Sequence, residues 1–132
     1  MNSSHVATCA RSGDVGSCAA LSVSQVPSTG KIVIGQIHAY KSSMPMLKLE
    51  YQYKAWAGSG NIVAKVRMTP DAEIQVVTIA SGIVLGQPFH YTLNLKADGT
   101  LAIRLDQIDW STRVDPSWAT KPLYFKAGVY TQ

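Results

Sequence analysis

Two cysteines in 132 residues are too few for a disulfide framework, and no apolar run approaches the roughly 20 residues of a transmembrane helix. The N-terminus lacks the basic-then-apolar order of a signal peptide, so the chain as written carries no export signal and reads as soluble. Charged residues make up only 15%, with no long run of one sign and no heptad spacing, which excludes disorder and coiled coil. No segment shows the 3.6-residue period of an ordinary helix, and there is no internal repeat or low-complexity stretch. Cys9 and Cys18 could close one small loop in an oxidising compartment, but their spacing does not decide between a bridge and two thiols. His5 beside them makes three ligands where a structural zinc wants four, so no metal site is expected.

The composition that remains, 46% hydrophobic with ten glycines and six prolines, supports one modest core and a single domain. Twelve Lys and Arg against eight Asp and Glu give a formal charge of +4 and a pI near 9.2. That balance favours a polyanionic partner, nucleic acid or acidic polysaccharide. The basic residues are scattered and form no nucleic-acid motif, which argues against the former.

Residues 1–20, rich in Ser, Gly, Ala and Cys, have no sustained period and are expected to be a poorly ordered N-terminal segment ahead of a domain over 21–132. From Lys31 the chain alternates. Lys31–Tyr40, Leu47–Lys54, Asn61–Met68 and Ile74–Ala80 read as strands, broken by Gly58-Ser-Gly60 and Pro70-Asp71. His90–Lys96 and Thr100–Asp106 flank Ala97-Asp-Gly99 and predict a hairpin. Trp110–Pro122 reads as irregular, and Tyr124–Gln132 alternates again. Many short strands without helical patterns predict an all-β fold, an antiparallel β-sandwich or jelly roll.

Side chains alternate along a strand, so Gln36, His38 and Tyr40 are expected on one face, with Val33, Gly35, Ile37 and Ala39 on the other. In the last strand Tyr124, Lys126, Gly128, Tyr130 and Gln132 share a face that suits the lining of a sugar groove. Glycoside hydrolysis would need two carboxylates across a groove, and nothing in the context of Glu50, Glu73, Asp106, Asp109 or Asp115 pairs them.

Gln36-Ile-His38 within Gly30–His38, together with Tyr124-Phe-Lys-Ala-Gly-Val-Tyr-Thr-Gln132, resembles two of the three signature motifs of the family 7 polysaccharide lyases, the alginate lyases. The likeness extends through Leu47–Tyr51 and Leu85–Tyr91 and spans roughly residues 21–132. It implies a β-jelly-roll with a substrate groove and cofactor-free β-elimination on alginate, leaving a 4,5-unsaturated sugar. It also implies a monomer, no membrane partner, and a secreted or periplasmic location. By resemblance Gln36 stabilises the substrate carboxylate and His38 and Tyr130 act as base and acid, with Tyr130 able to serve as both. An imidazole titrates at about 6.5 and a phenol at about 10, which suits those roles near neutral pH. Tyr124, Lys126, Gln132 and Ile37 are expected to bind substrate. Ile37 occupies the family position associated with mannuronate or guluronate preference, and isoleucine there leans towards guluronate-containing bonds. The third signature, an Arg-Ser/Thr-Glu-Leu strand, is absent, and Arg11-Ser-Gly-Asp14 does not replace it. Both ends are accordingly expected to be truncated. The alternative from another class is a β-sandwich module, or inactive lyase fragment, that holds acidic polysaccharide without cleaving it.

Overall fold

The computed structural model describes residues 3–8, 14–39 and 44–131. Its elements are β1 (Ser3–Thr8), β2 (Asp14–Ser22), β3 (Lys31–Ala39), β4 (Pro45–Lys54), β5 (Ser59–Arg67), β6 (Ile74–Ile83), β7 (Phe89–Lys96), β8 (Thr100–Leu105), β9 (Ile108–Arg113), a 3-10 turn η1 (Pro116–Thr120) and β10 (Leu123–Thr131). They form two five-stranded sheets, ordered β1-β2-β7-β8-β9 and β10-β3-β4-β5-β6. Every paired strand runs antiparallel. The all-β sandwich expected from the strand pattern is the fold observed.

Three strands differ from the sequence expectation. The opening segment, read as poorly ordered up to residue 20, contains β1 and β2, and β2 crosses the expected boundary. β2 pairs with β7 from Asp14 opposite Lys96 to Leu21 opposite Phe89. Its inward residues Ser17, Ala19 and Leu21 are buried while Ala20 is exposed. Side chains this small show little contrast between faces, so the alternation is hard to see, and main-chain bonding to β7 carries the strand. β9 likewise takes up the start of the segment read as irregular. Trp110 and Thr112 lie opposite the buried Ile103 and Leu101, and the exposed Asp109, Ser111 and Arg113 mask that pattern. Cys18 is disulfide-bonded. Cys9, Arg11, Tyr40 and Gln132 lie outside the described residues.

The core lies between the sheets. Ile32, Ile34, Ile37, Leu47, Leu49, Tyr51, Ile62 and Val66 from one sheet meet Leu21, Phe89, Tyr91, Leu93, Leu101, Ile103 and Leu105 from the other. The two buried tyrosines spend their hydroxyls on main-chain carbonyls: Tyr51 Oη donates to Ile83 O (2.7 Å) and Tyr91 Oη to Ile34 O (2.5 Å). Burial, then the neighbouring Tyr53, raises the Tyr51 phenol above its ordinary value.

The Tyr91 bond sits beside a β-bulge that decides what the outer face displays. Against β4, the β3 register shifts between Val33 and Gly35. Strict alternation would group Val33 with Ile37, but the bulge puts Ile34 in the core with Ile32, Ile37 and Ala39, and leaves Val33, itself buried, on the opposite face of the sheet with Gln36 and His38. Glycine at 35 is required sterically, because a Cβ there would stand 2.5 Å from Tyr91 Oη.

Candidate functional site

The outer face of the β10-β3-β4-β5-β6 sheet carries the residues singled out from sequence. The strand registers align Lys126 with Gln36, Gln36 with Lys48, Lys48 with Lys65 and Lys65 with Val76, one row crossing all five strands. Each member is next in sequence to a residue that buries into or packs against the core, so the whole row faces outward. Adjacent strands lie about 4.8 Å apart, which sets the step between neighbours in the row.

On one side of this row His38 lies opposite Tyr124. Their rings stack with centroids 5.5 Å apart and planes 23° from parallel, and Lys126 Nζ stands 5.8 Å from the centre of the Tyr124 ring. His38 Nδ1 is 3.1 Å from Ala39 O. A carbonyl can only accept, so this contact assigns the imidazole proton to Nδ1 and leaves the Nε2 lone pair free to act as a base.

On the other side Val33 lies opposite Tyr130 on β10 and opposite Glu50 on β4. A second irregularity, between Ala127 and Tyr130, sets the Tyr130 backbone at this position. The Glu50 side chain is 0% exposed and forms an ion pair with Lys65, Oε2 to Nζ 3.1 Å, while Gln52 Nε2 donates to its Oε1 at 3.0 Å. An unpaired carboxylate buried to that extent would carry a heavy desolvation penalty, so Lys65 is held where Glu50 needs it.

On the His38 side of the Gln36–Lys48–Lys65 row lies a hollow of about 280 Å³, lined by Gln36, His38, Lys48, Lys65, Arg67 and Ile74 among others. Arg67 reaches it from the end of β5, with one guanidinium nitrogen donating to Ala72 O at 2.6 Å. The Arg67 carbonyl accepts from Trp118 Nε1 at 3.0 Å, fastening η1 under the same strand end.

The structure thus brings Gln36, His38, Tyr124 and Lys126 onto one face. Ile37 is a correction: expected as a substrate contact, it is 0% exposed in the core, because it alternates with Gln36 and His38 and points away from the groove. For Tyr130 the backbone register is described, and Gln132 lies outside the described residues. Lys48, Glu50, Lys65 and Arg67 were not singled out as site residues. Alternation puts them on the outer faces of β4 and β5, but only the inter-strand register shows that they stand beside Gln36 and His38. Of the other carboxylates, Asp106 and Asp109 belong to the opposite sheet, where they pair with His90 and Arg104, and Asp115 caps η1. Among the described residues there is no cluster of three or more His, Cys, Asp or Glu that could hold a metal ion.

A family profile described as alginate lyase matches residues 2–132. Among solved structures, the chain is similar to an alginate lyase from Pseudomonas aeruginosa, with 38% identity and a TM-score of 0.84 over 91% of this chain and 55% of that one. It shares its fold with an alginate lyase from Klebsiella pneumoniae (24% identity, TM-score 0.77, 89% of this chain and 52% of that one). It also shares it with the family 7 alginate lyase A1-II′ in complex with a product, GGG (23%, 0.76, 91% and 54%). The chain therefore spans 52–55% of the length of these solved relatives. No curated protein sequence matches it.

Proposed function

The chain belongs to the alginate lyase family, and from that premise we propose that it acts on alginate, cleaving the polymer by β-elimination in the groove over Gln36 and His38. In this reaction a base removes the proton on C5 of a uronate. The electron pair left behind forms the C4–C5 double bond, the C4–O bond breaks, and an acid protonates the departing oxygen. The C5 proton is barely acidic while the neighbouring carboxylate is ionised, so positioned donors must offset the charge that develops there.

Gln36, opposite Lys126 and Lys48, is the donor to that carboxylate. His38 takes the proton through Nε2, the nitrogen left free by the Nδ1 contact to Ala39 O. Tyr130 delivers the proton to the leaving oxygen, and where the uronate epimer presents its C5 proton to the other side the phenol serves both steps. Tyr124 supports His38, and Tyr124, Lys126 and Gln132 of the same motif bind substrate. No group outside the chain enters these steps. The observation that carries the reading is the placement of Gln36 and His38 side by side over a hollow with Lys48, Lys65 and Arg67. The partner is an acidic polysaccharide, bound by a monomer. A secreted or periplasmic site of action agrees with the disulfide at Cys18, because such bonds persist in oxidising compartments.

The test is ultraviolet absorbance of the purified chain with alginate, since elimination creates a conjugated double bond that neither hydrolysis nor binding can make. A rise that vanishes in Tyr130→Phe and in His38→Ala supports the assignment. Equal rates in parent and both variants would refute it, and binding without product would identify a non-catalytic acidic-glycan module.

A further inference from the structure

We infer that the outer face of the β1-β2-β7-β8-β9 sheet carries a second binding site, a trough over Asn94 that takes a glycan through its hydroxyl groups. It lies on the opposite side of the sandwich from Gln36 and His38, and it stands whether or not the chain cleaves alginate. The registers align Gly16 with Asn94, Asn94 with Ala102 and Ala102 with Ser111, one row across four strands. Asn94 and Ala102 alternate with the core residues Leu93, Leu101 and Ile103, so the row faces outward. Glycine, alanine and serine keep it low. The rows two residues away stand higher: Thr92, Arg104 and Asp109 on one side, Lys96, Thr100 and Arg113 on the other. At about 3.4 Å per residue these walls are roughly 14 Å apart at their bases. The depression between them measures about 400 Å³, within the range of about 300–1,000 Å³ in which small ligands are held.

Asn94 lines this depression and is only 7% exposed, yet its Oδ1 has no hydrogen-bond partner among the described residues. A buried acceptor without a donor is costly unless a ligand supplies one. A carboxylate only accepts and cannot serve Oδ1, whereas a hydroxyl both donates and accepts and satisfies the carboxamide whichever way its two ends are turned. The walls select in the same direction. Arg104 is paired with Asp109 at 3.1 Å and Arg113 with Asp98 at 3.3 Å, which leaves Lys96 as the one wall cation without an acidic partner among the described residues. An acidic chain therefore finds little net attraction here, in contrast to the groove with Lys48, Lys65 and Arg67 on the other sheet. Thr92 and Ser111 add hydroxyls on either side of Asn94, so the polar groups on offer match those of a sugar ring.

The experiment is a nuclear magnetic resonance titration of the isotope-labelled full chain with an oligouronate whose carboxyl groups have been reduced to alcohols, repeated with the unreduced oligouronate. Both sugars are expected to shift the Asn94 side-chain amide and the backbone amides of β7, β8 and β9. Their affinities for this face should lie within about five-fold of each other, since one exposed ion pair at Lys96 adds little. Asn94→Leu is expected to weaken binding about ten-fold, and its thermal midpoint should equal or exceed the parent's because an unpaired buried acceptor has been removed. Ala102→Tyr fills the trough from an outward position, is expected to abolish the shifts on β7–β9, and guards against misfolding of the first variant. Unchanged affinity in either variant would overturn the site, as would shifts produced by the unreduced sugar alone, which would mark an anion contact at Lys96. A lowered midpoint in Asn94→Leu would assign the carboxamide to the fold and equally overturn its role. Shifts confined to β3, β4 and β5 would refute the trough and leave the lyase reading intact, whereas shifts on β7–β9 without any unsaturated product would do the reverse.

Discussion

The His38 imidazole and the Tyr124 ring are stacked across the β3–β10 register, 5.5 Å between centroids and 23° between planes. With Nδ1 held by Ala39 O, this second contact fixes the plane in which Nε2 presents its lone pair. The pair joins two motifs that are far apart in sequence and directly opposite in the sheet.

Replacing Tyr124 by Leu should release the imidazole. Such aromatic contacts are worth about 0.5–1.5 kcal/mol, so the expected effect is a fall in kcat of up to roughly ten-fold. Tyr124→Phe keeps the ring and should stay within about two-fold of the parent. Initial rates of product absorbance across pH separate the two variants, and equal rates in the Tyr124→Leu and Tyr124→Phe proteins would deny the stack any part in catalysis.

Gly35→Ala should unfold the site from beneath. A Cβ at this position meets Tyr91 Oη at 2.5 Å and forces the ring off the Ile34 carbonyl. Overpacking plus a lost buried hydrogen bond should cost about 2–4 kcal/mol. Denaturant unfolding would measure it, and a loss below about 0.5 kcal/mol would mean that the bulge tolerates a side chain.

Alkaline stability should depend on Tyr51. Its phenol is raised in the folded protein, chiefly by burial, so the folded state favours the neutral form. The contribution is complete below the unfolded value of about 10 and is lost as pH rises through the higher folded value. Thermal melts should therefore fall steeply above about pH 10 in the parent and less steeply in Tyr51→Phe. That variant should be about 1 kcal/mol weaker near neutrality, because the Ile83 carbonyl loses its donor. Parallel alkaline limbs in the two proteins would exclude Tyr51 as the titrating group.

Trp118→Phe should loosen η1 from the end of β5. The indole is 2% exposed, and its Nε1–H satisfies the Arg67 carbonyl. Leaving that carbonyl unpaired and the site underfilled should cost about 1–3 kcal/mol, read as a lower midpoint in thermal melts. A midpoint equal to the parent's would show that η1 holds by other contacts.

Most of the sandwich was legible because β-branched and aromatic residues alternate with polar ones in β3, β4, β7 and β8, and an Asp-Gly turn announces the β7–β8 hairpin. β2 was not, since alanine, serine and glycine carry almost no contrast between faces. Gln36, His38, Tyr124 and Lys126 could be placed on outer faces by counting in twos along each strand. That Lys126 faces Gln36, and that Lys48 and Lys65 complete the same row, depends on pairing between strands, about which local alternation is silent. Val33 and Ile34 show where counting in twos fails: one extra residue at Gly35 exchanges their faces, and no residue type announces it except a glycine.

The irregularities at Gly35 and between Ala127 and Tyr130 give this sheet something like a reading frame. Deleting one residue elsewhere in β3 would invert every side chain on one flank of the strand, sending Gln36 and His38 inward and Ile37 into the groove, whereas deleting the extra residue Ile34 would leave Val33 opposite Glu50 and Gly35 opposite Leu49 and keep the display. Loss of two residues would restore the display at the expense of length. Point substitution can therefore tune the groove a residue at a time, whereas a single-codon insertion or deletion in β3 away from Ile34 abolishes it at a stroke, and a library of such indels should show tolerance that alternates with odd and even length except at the bulge.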